Sequence, residues 1–174
     1  SATSQELDDA VSICTISSTE TLLSIYISNV PIWFDVLDLW DSFSDRISTI
    51  YLPDKKRPML PTILSECLCS LKENMDRIVF VMDIYIDTST TTISRVEHKN
   101  CKIKVIKNYV YEEPVLLQSP EYHQMMETCI SLNTKPEYKY SPSIKNSHDV
   151  ISYLMIIMNY YTAKEMVNYQ NGIA

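Results

Sequence analysis

The feature that most constrains this chain is a pair of long strand-like runs between Arg77 and Lys107. Arg77 to Asp87 is a long apolar strand, Thr88-Ser89-Thr90 turns the chain, and Thr91 to Lys107 returns as a second strand, so the pair predicts a long hairpin. A shorter hairpin is predicted earlier, from Ala10–Thr15 and Leu22–Ser28 on either side of Ser17-Ser18-Thr19. Val36, Leu37, Trp40, Phe43 and Ile47 recur at helical spacing, with Asp35, Asp38, Asp41 and Asp45 on other faces, which predicts an amphipathic helix. Thr49–Leu52 reads as a short strand closed by Pro53, and Pro61 stands in the first turn of a second helix. Further helices are predicted over Pro120–Leu132 and Asp149–Asn168, with Asn133–Asn146 as an exposed loop between them. Strands come first and helices later, an α+β order.

Composition narrows the class. Apolar residues make up 45% of the 174, enough for a sizeable core, and 21% charged residues is an ordinary share for a folded chain. The formal net charge of -7 argues against non-specific nucleic-acid binding, which rests on Lys and Arg contacts to phosphate. It leaves room for a carboxylate-metal site, where acidic residues repel phosphate until a cation arrives. The five cysteines show no disulfide ladder, and Cys67-x-Cys69 has no second pair at zinc spacing, so reduced thiols in an intracellular compartment are expected. The chain opens on Ser1-Ala2-Thr3-Ser4 without a basic and then apolar run, so no signal peptide is expected, and no apolar stretch approaches membrane-spanning length. With Gly172 as the single glycine, turns must be made by Asn, Asp, Ser and Pro.

Two segments could carry chemistry. Glu6-Leu7-Asp8-Asp9 places three carboxylates in four residues just before a strand, a donor set suited to hard divalent cations and to two-metal phosphodiester chemistry. Alone, such a cluster is also what a solvated terminal loop shows. Tyr51 could stack on a base, and Lys55-Lys56-Arg57 would set phosphate-binding charge beside it. Lys102 and Lys104, flanked by Lys99 and Lys107, could line an RNA path or form a solvated strand face. His98, His123 and His148 have no metal-ligand spacing.

Read in order, the segments Leu-Asp-Asp-Ala (7–10), Ile-Ser-Asn-Val (27–30), Tyr-Leu-Pro (51–53), Pro-Met-Leu-Pro (58–61), Leu-Ser (64–65), Leu-Cys-Ser-Leu (68–71) and Asp-Arg (76–77) resemble the RNB catalytic domain of the ribonuclease II/R family. Tyr111-Glu112-Glu113 and the helix bearing Leu154-Met155 and Asn159 extend the likeness, which spans Glu6 to Ala163. The resemblance implies an RNB-type mixed, mainly antiparallel sheet packed by helices, with residues 1–174 forming the amino-terminal half of the domain. It implies a processive, Mg²⁺-dependent 3′–5′ exoribonuclease acting on single-stranded RNA and releasing nucleoside 5′-monophosphates. Asp8 and Asp9 fall on metal-binding aspartates and Glu6 on the motif's first aspartate, while Tyr51 and Tyr111 fall on aromatics that pack against the RNA end. The variant Glu-Leu-Asp-Asp is similar to that of the fungal mitochondrial degradosome exoribonuclease, which implies a mitochondrial matrix location, with the cytoplasm as the alternative, and a Suv3-type RNA helicase as partner.

Three positions depart from the family pattern. A further aspartate of the motif would lie before Ser1. Asn29 stands where an aspartate is expected, and Ser152 and Tyr153 stand where the last helix shows a Glu-Glu pair. These departures motivate a competing expectation, an RNB-fold RNA-binding protein that has lost turnover. The Asp8-Asp9 pair argues the other way, since neighbouring buried charges are costly to keep without a use.

Overall fold

A computed structural model describes residues 7–43, 48–54 and 56–170, with the side chains of Phe43, Lys56 and Arg57 left out. A four-stranded sheet has the order β1 (Asp9–Thr15), β2 (Glu20–Ser28), β5 (Asp76–Asp87), β6 (Thr92–Lys104), and β3 (Ile50–Tyr51) and β4 (Lys56–Arg57) form a separate antiparallel ribbon. Both expected hairpins are present. In the central pair, Asn29 N–H donates to Ile78 O, Ser24 Oγ to Asp83 Oδ1 and Thr88 N–H to Thr19 O, three bonds that share one antiparallel register. The β5–β6 turn closes without glycine. The Asp87 carboxylate accepts from the Ser89 and Thr90 amides while Thr91 takes a φ of 53°, so a side-chain acceptor does the work usually left to glycine.

The chain divides into two compact units, each receiving a stretch of all four strands. In the first unit, Leu71, Val79 and Val105 form one buried cluster with Leu7, Ala10, Tyr26, Cys101 and Ile103 against it. Phe34, Leu64 and Cys69 form a second, with Trp33 and Leu68 among its neighbours. The amphipathic helix expected across residues 36–47 is corrected over its described part; Asp45 and Ile47 lie outside the described residues. Asn29 caps a helix that starts earlier, α1 (Val30–Val36), with Pro31 in its first turn. Asp38, at φ 52°, ends that run, and α2 (Trp40–Phe43) follows. Phe34 and Trp33 face the core, while Val36 and Leu37, which the periodicity placed inward, are exposed. The helix after Pro61 is a single wide π-type turn, Ile63–Leu68.

In the second unit, α3 (Pro114–Leu117) leads into α4 (Pro120–Asn133), which packs against α5 (Ser147–Asn168). Both long helices are side-chain capped: Ser119 accepts from the Tyr122 amide and Asn146 from the Asp149 amide. Cys129, Leu132, Tyr153, Leu154 and Ile157 are fully buried between these elements. The connection over 133–146, expected to be exposed, is anchored by buried Asn133 and Ile144 and by a short 3₁₀ turn at Pro136–Tyr138. Asn133 holds Ser141 through both its amide oxygen and its amide nitrogen, which explains how a polar loop lies down on the helices. Among the described residues, no helix is long and apolar enough to cross a membrane.

Candidate metal and RNA site

In the first unit, separate motifs of the sequence meet through their backbones. Leu71 N–H donates to Leu7 O at 2.7 Å, and Ser28 N–H donates to Asp8 O at 3.0 Å. The Ser28 hydroxyl donates to Cys69 O, and Arg77 Nε donates to Ser70 O at 2.6 Å. The lead-in to β1 is therefore pinned between the end of β2 and the Cys69–Leu71 segment. Leu7 and Ala10 turn toward the Leu71 cluster, while Asp8 and Asp9 are exposed, which corrects the expectation of a buried charge pair and removes the cost argument built on it.

Electrostatics agree with this placement. Burial pushes the Cys69 thiol up to about 11, with the Asp8 charge adding to the rise and Arg77 opposing it, so Cys69 is a neutral core thiol. Although Asp9 keeps solvent contact, desolvation by the surrounding chain raises its carboxyl above the ordinary value, and a backbone hydrogen bond offsets part of that rise. A cation beside Asp9 would favour its charged form.

The donor set fits magnesium in one respect. That ion is commonly held by one or two carboxylates, with waters and substrate phosphate completing an octahedron. Asp8 and Asp9 offer two exposed carboxylates of this kind. Among the described residues no group of three or more His, Cys, Asp or Glu is placed to hold a metal, and Glu6 lies outside the described residues.

Tyr51 is 69% exposed on β3. Its backbone partner across the ribbon is Lys56, and Ile50 faces Arg57, so an aromatic and two basic residues share one ribbon. Lys55 lies outside the described residues. Tyr111 belongs to the second unit, where it stacks on His148 with ring centroids 3.8 Å apart and planes 17° from parallel. The next residue, Glu112, has a φ of 61°, and its carboxylate accepts from the amide and hydroxyl of Ser147, each at 2.6 Å. Those Ser147 bonds hold the Glu112 carboxyl below the usual range, with the nearby His148 contributing less. Tyr-Glu-Glu is thus clamped to the first turn of α5, a contact that the motif alone does not reveal.

The departures acquire local reasons. Asn29 Oδ1 accepts from the Ile32 amide as the cap of α1, and its Nδ2 donates to Asn100 Oδ1 at 2.9 Å, so the amide serves a helix start. Tyr153 is fully buried and donates its hydroxyl to Tyr138 O at 3.0 Å, so it belongs to the core of the second unit; Ser152 is exposed. The basic face of β6 is largely spoken for within its own units: Lys99 pairs with Asp83, Lys102 with Asp76 and Lys107 with Glu73. Arg77 and His148 carry contacts that the sequence reading did not assign. A strongly basic residue opening an apolar strand was the available signal for Arg77; nothing local pointed to His148.

These features define the class: an α+β domain whose mainly antiparallel sheet receives an acidic lead-in strand held against a Cys-Ser-Leu segment. The chain belongs to the RNB domain family, whose model matches residues 1–120. Ribonuclease R of Chlamydia muridarum is 38% identical over 79 residues, which is 45% of this chain and 11% of that protein. The structure of Mycoplasma genitalium RNase R in complex with double-stranded RNA superposes with a TM-score of 0.76 at 20% identity, covering 97% of this chain and 36% of that one. Yeast Ssd1, described as a pseudonuclease, gives a TM-score of 0.75 at 15% identity, covering 96% of this chain and 24% of that one. The matched segment spans about a tenth of the Chlamydia protein's length, and the chain spans about a third of the Mycoplasma structure.

Proposed function

We propose that this chain is the amino-terminal half of the catalytic domain of a 3′–5′ exoribonuclease that degrades single-stranded RNA processively to nucleoside 5′-monophosphates. The observation that carries the reading is the meeting of the Leu7–Asp9, Ser28–Asn29, Cys69–Leu71 and Arg77 motifs in one hydrogen-bonded knot that leaves two carboxylates at its surface. Asp8 and Asp9, with Glu6 as third donor, would hold Mg²⁺, which when bound supplies an activated water and charge neutralisation at the scissile phosphate. Tyr51 would stack on a base near the RNA end, and Lys55, Lys56 and Arg57 would meet phosphates. Tyr111, held in place by Glu112 and Ser147, would form a second aromatic surface for the strand. RNase R appears bound to RNA among the structural neighbours, which supports RNA as the ligand class. The Glu-Leu-Asp-Asp variant supports mitochondrial RNA turnover with a Suv3-type RNA helicase as partner.

The test is turnover of a 5′-labelled single-stranded RNA by the full-length protein in Mg²⁺. Asp9→Asn is expected to lower the rate by about 10³-fold, the size of effect seen when one charge-stabilising group is lost from an active site. A second reading, an RNB-fold RNA-binding protein without turnover, is supported by the likeness to the Ssd1 pseudonuclease and by Tyr153 standing buried where a glutamate pair is expected. RNA binding with no degradation in any divalent metal would select it.

A further inference from the structure

The first unit holds a cavity of about 240 Å³ lined by Trp33, Leu68, Asp76, Arg77, Ile78 and Lys102. Its walls combine an indole, two aliphatic side chains, two cations and one carboxylate. Arg77 is only 9% exposed. Its Nε donates to Ser70 O at 2.6 Å and one terminal nitrogen to Asp76 O at 2.7 Å, which fixes the guanidinium plane. Both of these bonds go to backbone carbonyls, so the charge of the guanidinium is not neutralised by them. Lys102 reaches the Asp76 carboxylate at 2.8 Å, with both side chains more than half exposed, so this pair is open to exchange with another anion. Lys102 first, then Lys104 and Arg77, hold the Asp76 carboxyl below the usual range, so the local field is positive in a chain of net charge -7. The Trp33 Nε1–H is buried and has no acceptor among the described residues. A buried donor without a partner marks a place where something is missing or where strain is kept for use.

We propose that this cavity is a binding site for a nucleoside monophosphate, with the phosphate between Arg77 and Lys102 and the base against Trp33. A fixed guanidinium beside a mobile ammonium suits a phosphate, which takes charge-assisted hydrogen bonds from both. A flat indole wall with Leu68 and Ile78 beside it suits an aromatic ring. Asp76, released from Lys102 by the phosphate, can accept from an amino group of the base. At about 240 Å³ the cavity is smaller than most ligand pockets and half open to solvent, so a single nucleotide would seat its phosphate and part of its base there, and a strand would not fit. The inference rests on the exoribonuclease reading only for the origin of the ligand, as a product released by turnover.

The test is calorimetric titration of the full-length protein with adenosine 5′-monophosphate, inorganic phosphate and adenosine in turn, together with photolabelling by 8-azidoadenosine 5′-monophosphate. The monophosphate should bind, phosphate should compete with it, and adenosine should bind at least tenfold more weakly, about the worth of one good charged contact. Lys102→Gln, at an exposed position, and Trp33→Leu should each weaken binding about tenfold. Label should fall on the peptide carrying Trp33. Asp9→Asn should leave the binding unchanged, which separates this site from the carboxylate pair. Absence of binding at millimolar monophosphate, or binding indifferent to both Lys102→Gln and Trp33→Leu, overturns the proposal whether or not the protein degrades RNA.

Discussion

The two units are held together by different means. The second relies on side chains: two capped helices close over Cys129, Leu132, Tyr153, Leu154 and Ile157, all fully buried. The first relies on backbone ties between segments distant in sequence, with short helices and two modest apolar clusters beneath them. The difference teaches where chemistry can be placed. A helix pair tolerates charge poorly on its buried faces, whereas a backbone knot can be tied by residues that remain exposed, as Asp8 and Asp9 are.

That contrast breaks first where a core side chain is removed. Tyr153→Ala should destabilise the protein by about 4 kcal/mol, measured by denaturant unfolding, because it empties a fully enclosed ring site and frees Tyr138 O. Leu71→Ala should cost somewhat less, about 3 kcal/mol, because the first unit's cluster is smaller. If Leu71→Ala proves the costlier, side-chain packing matters more in the first unit than its backbone ties suggest.

Asn29→Ala should cost about 1 kcal/mol through loss of the α1 cap, while Asn29→Asp should leave both stability and RNA turnover near those of the parent. A large gain of turnover in Asn29→Asp would show that the missing charge, and not the helix cap, governs this position.

The smallest effect is at the clamp on Tyr111. The Glu112 carboxyl titrates below its ordinary value of 4.5 because Ser147 bonds its charged form. Its contribution to stability is therefore present above 4.5 and lost as pH falls through the lower folded value. Glu112→Gln should flatten the acid limb of Tm against pH by a degree or two, about what a weak exposed contact supplies. An unchanged acid limb would mean that the Ser147 bonds do not hold the motif in solution.

Much of the fold was legible in the sequence because its strands and long helices carry strong local signals. Ile78–Ile86 is an apolar run bounded by a polar turn, and helical periodicity marked Pro120–Leu132 and Asp149–Asn168, whose caps Ser119 and Asn146 only the structure revealed. The break at Asp38 was not legible, because apolar spacing continues across it and a non-glycine residue in the left-handed region gives no composition signal. The candidate site was legible as a string of motifs but not as a place. What joins Leu7 to Leu71 and Asp8 to Ser28 is backbone hydrogen bonding, which is indifferent to residue type. Asn29 shows the opposite case: the residue type was visible, but its partners Ile32 and Asn100 were needed to read it as a cap.

The account turns on whether Asp8 and Asp9 take up a divalent cation. Binding of Mn²⁺, a spectroscopic stand-in for Mg²⁺, can be counted by electron paramagnetic resonance in the full-length protein and in the double variant Asp8→Asn/Asp9→Asn. The account predicts at least one bound ion in the parent, displaced by excess Mg²⁺ and lost in the variant while the fold persists. Equal Mn²⁺ occupancy in parent and variant would contradict it.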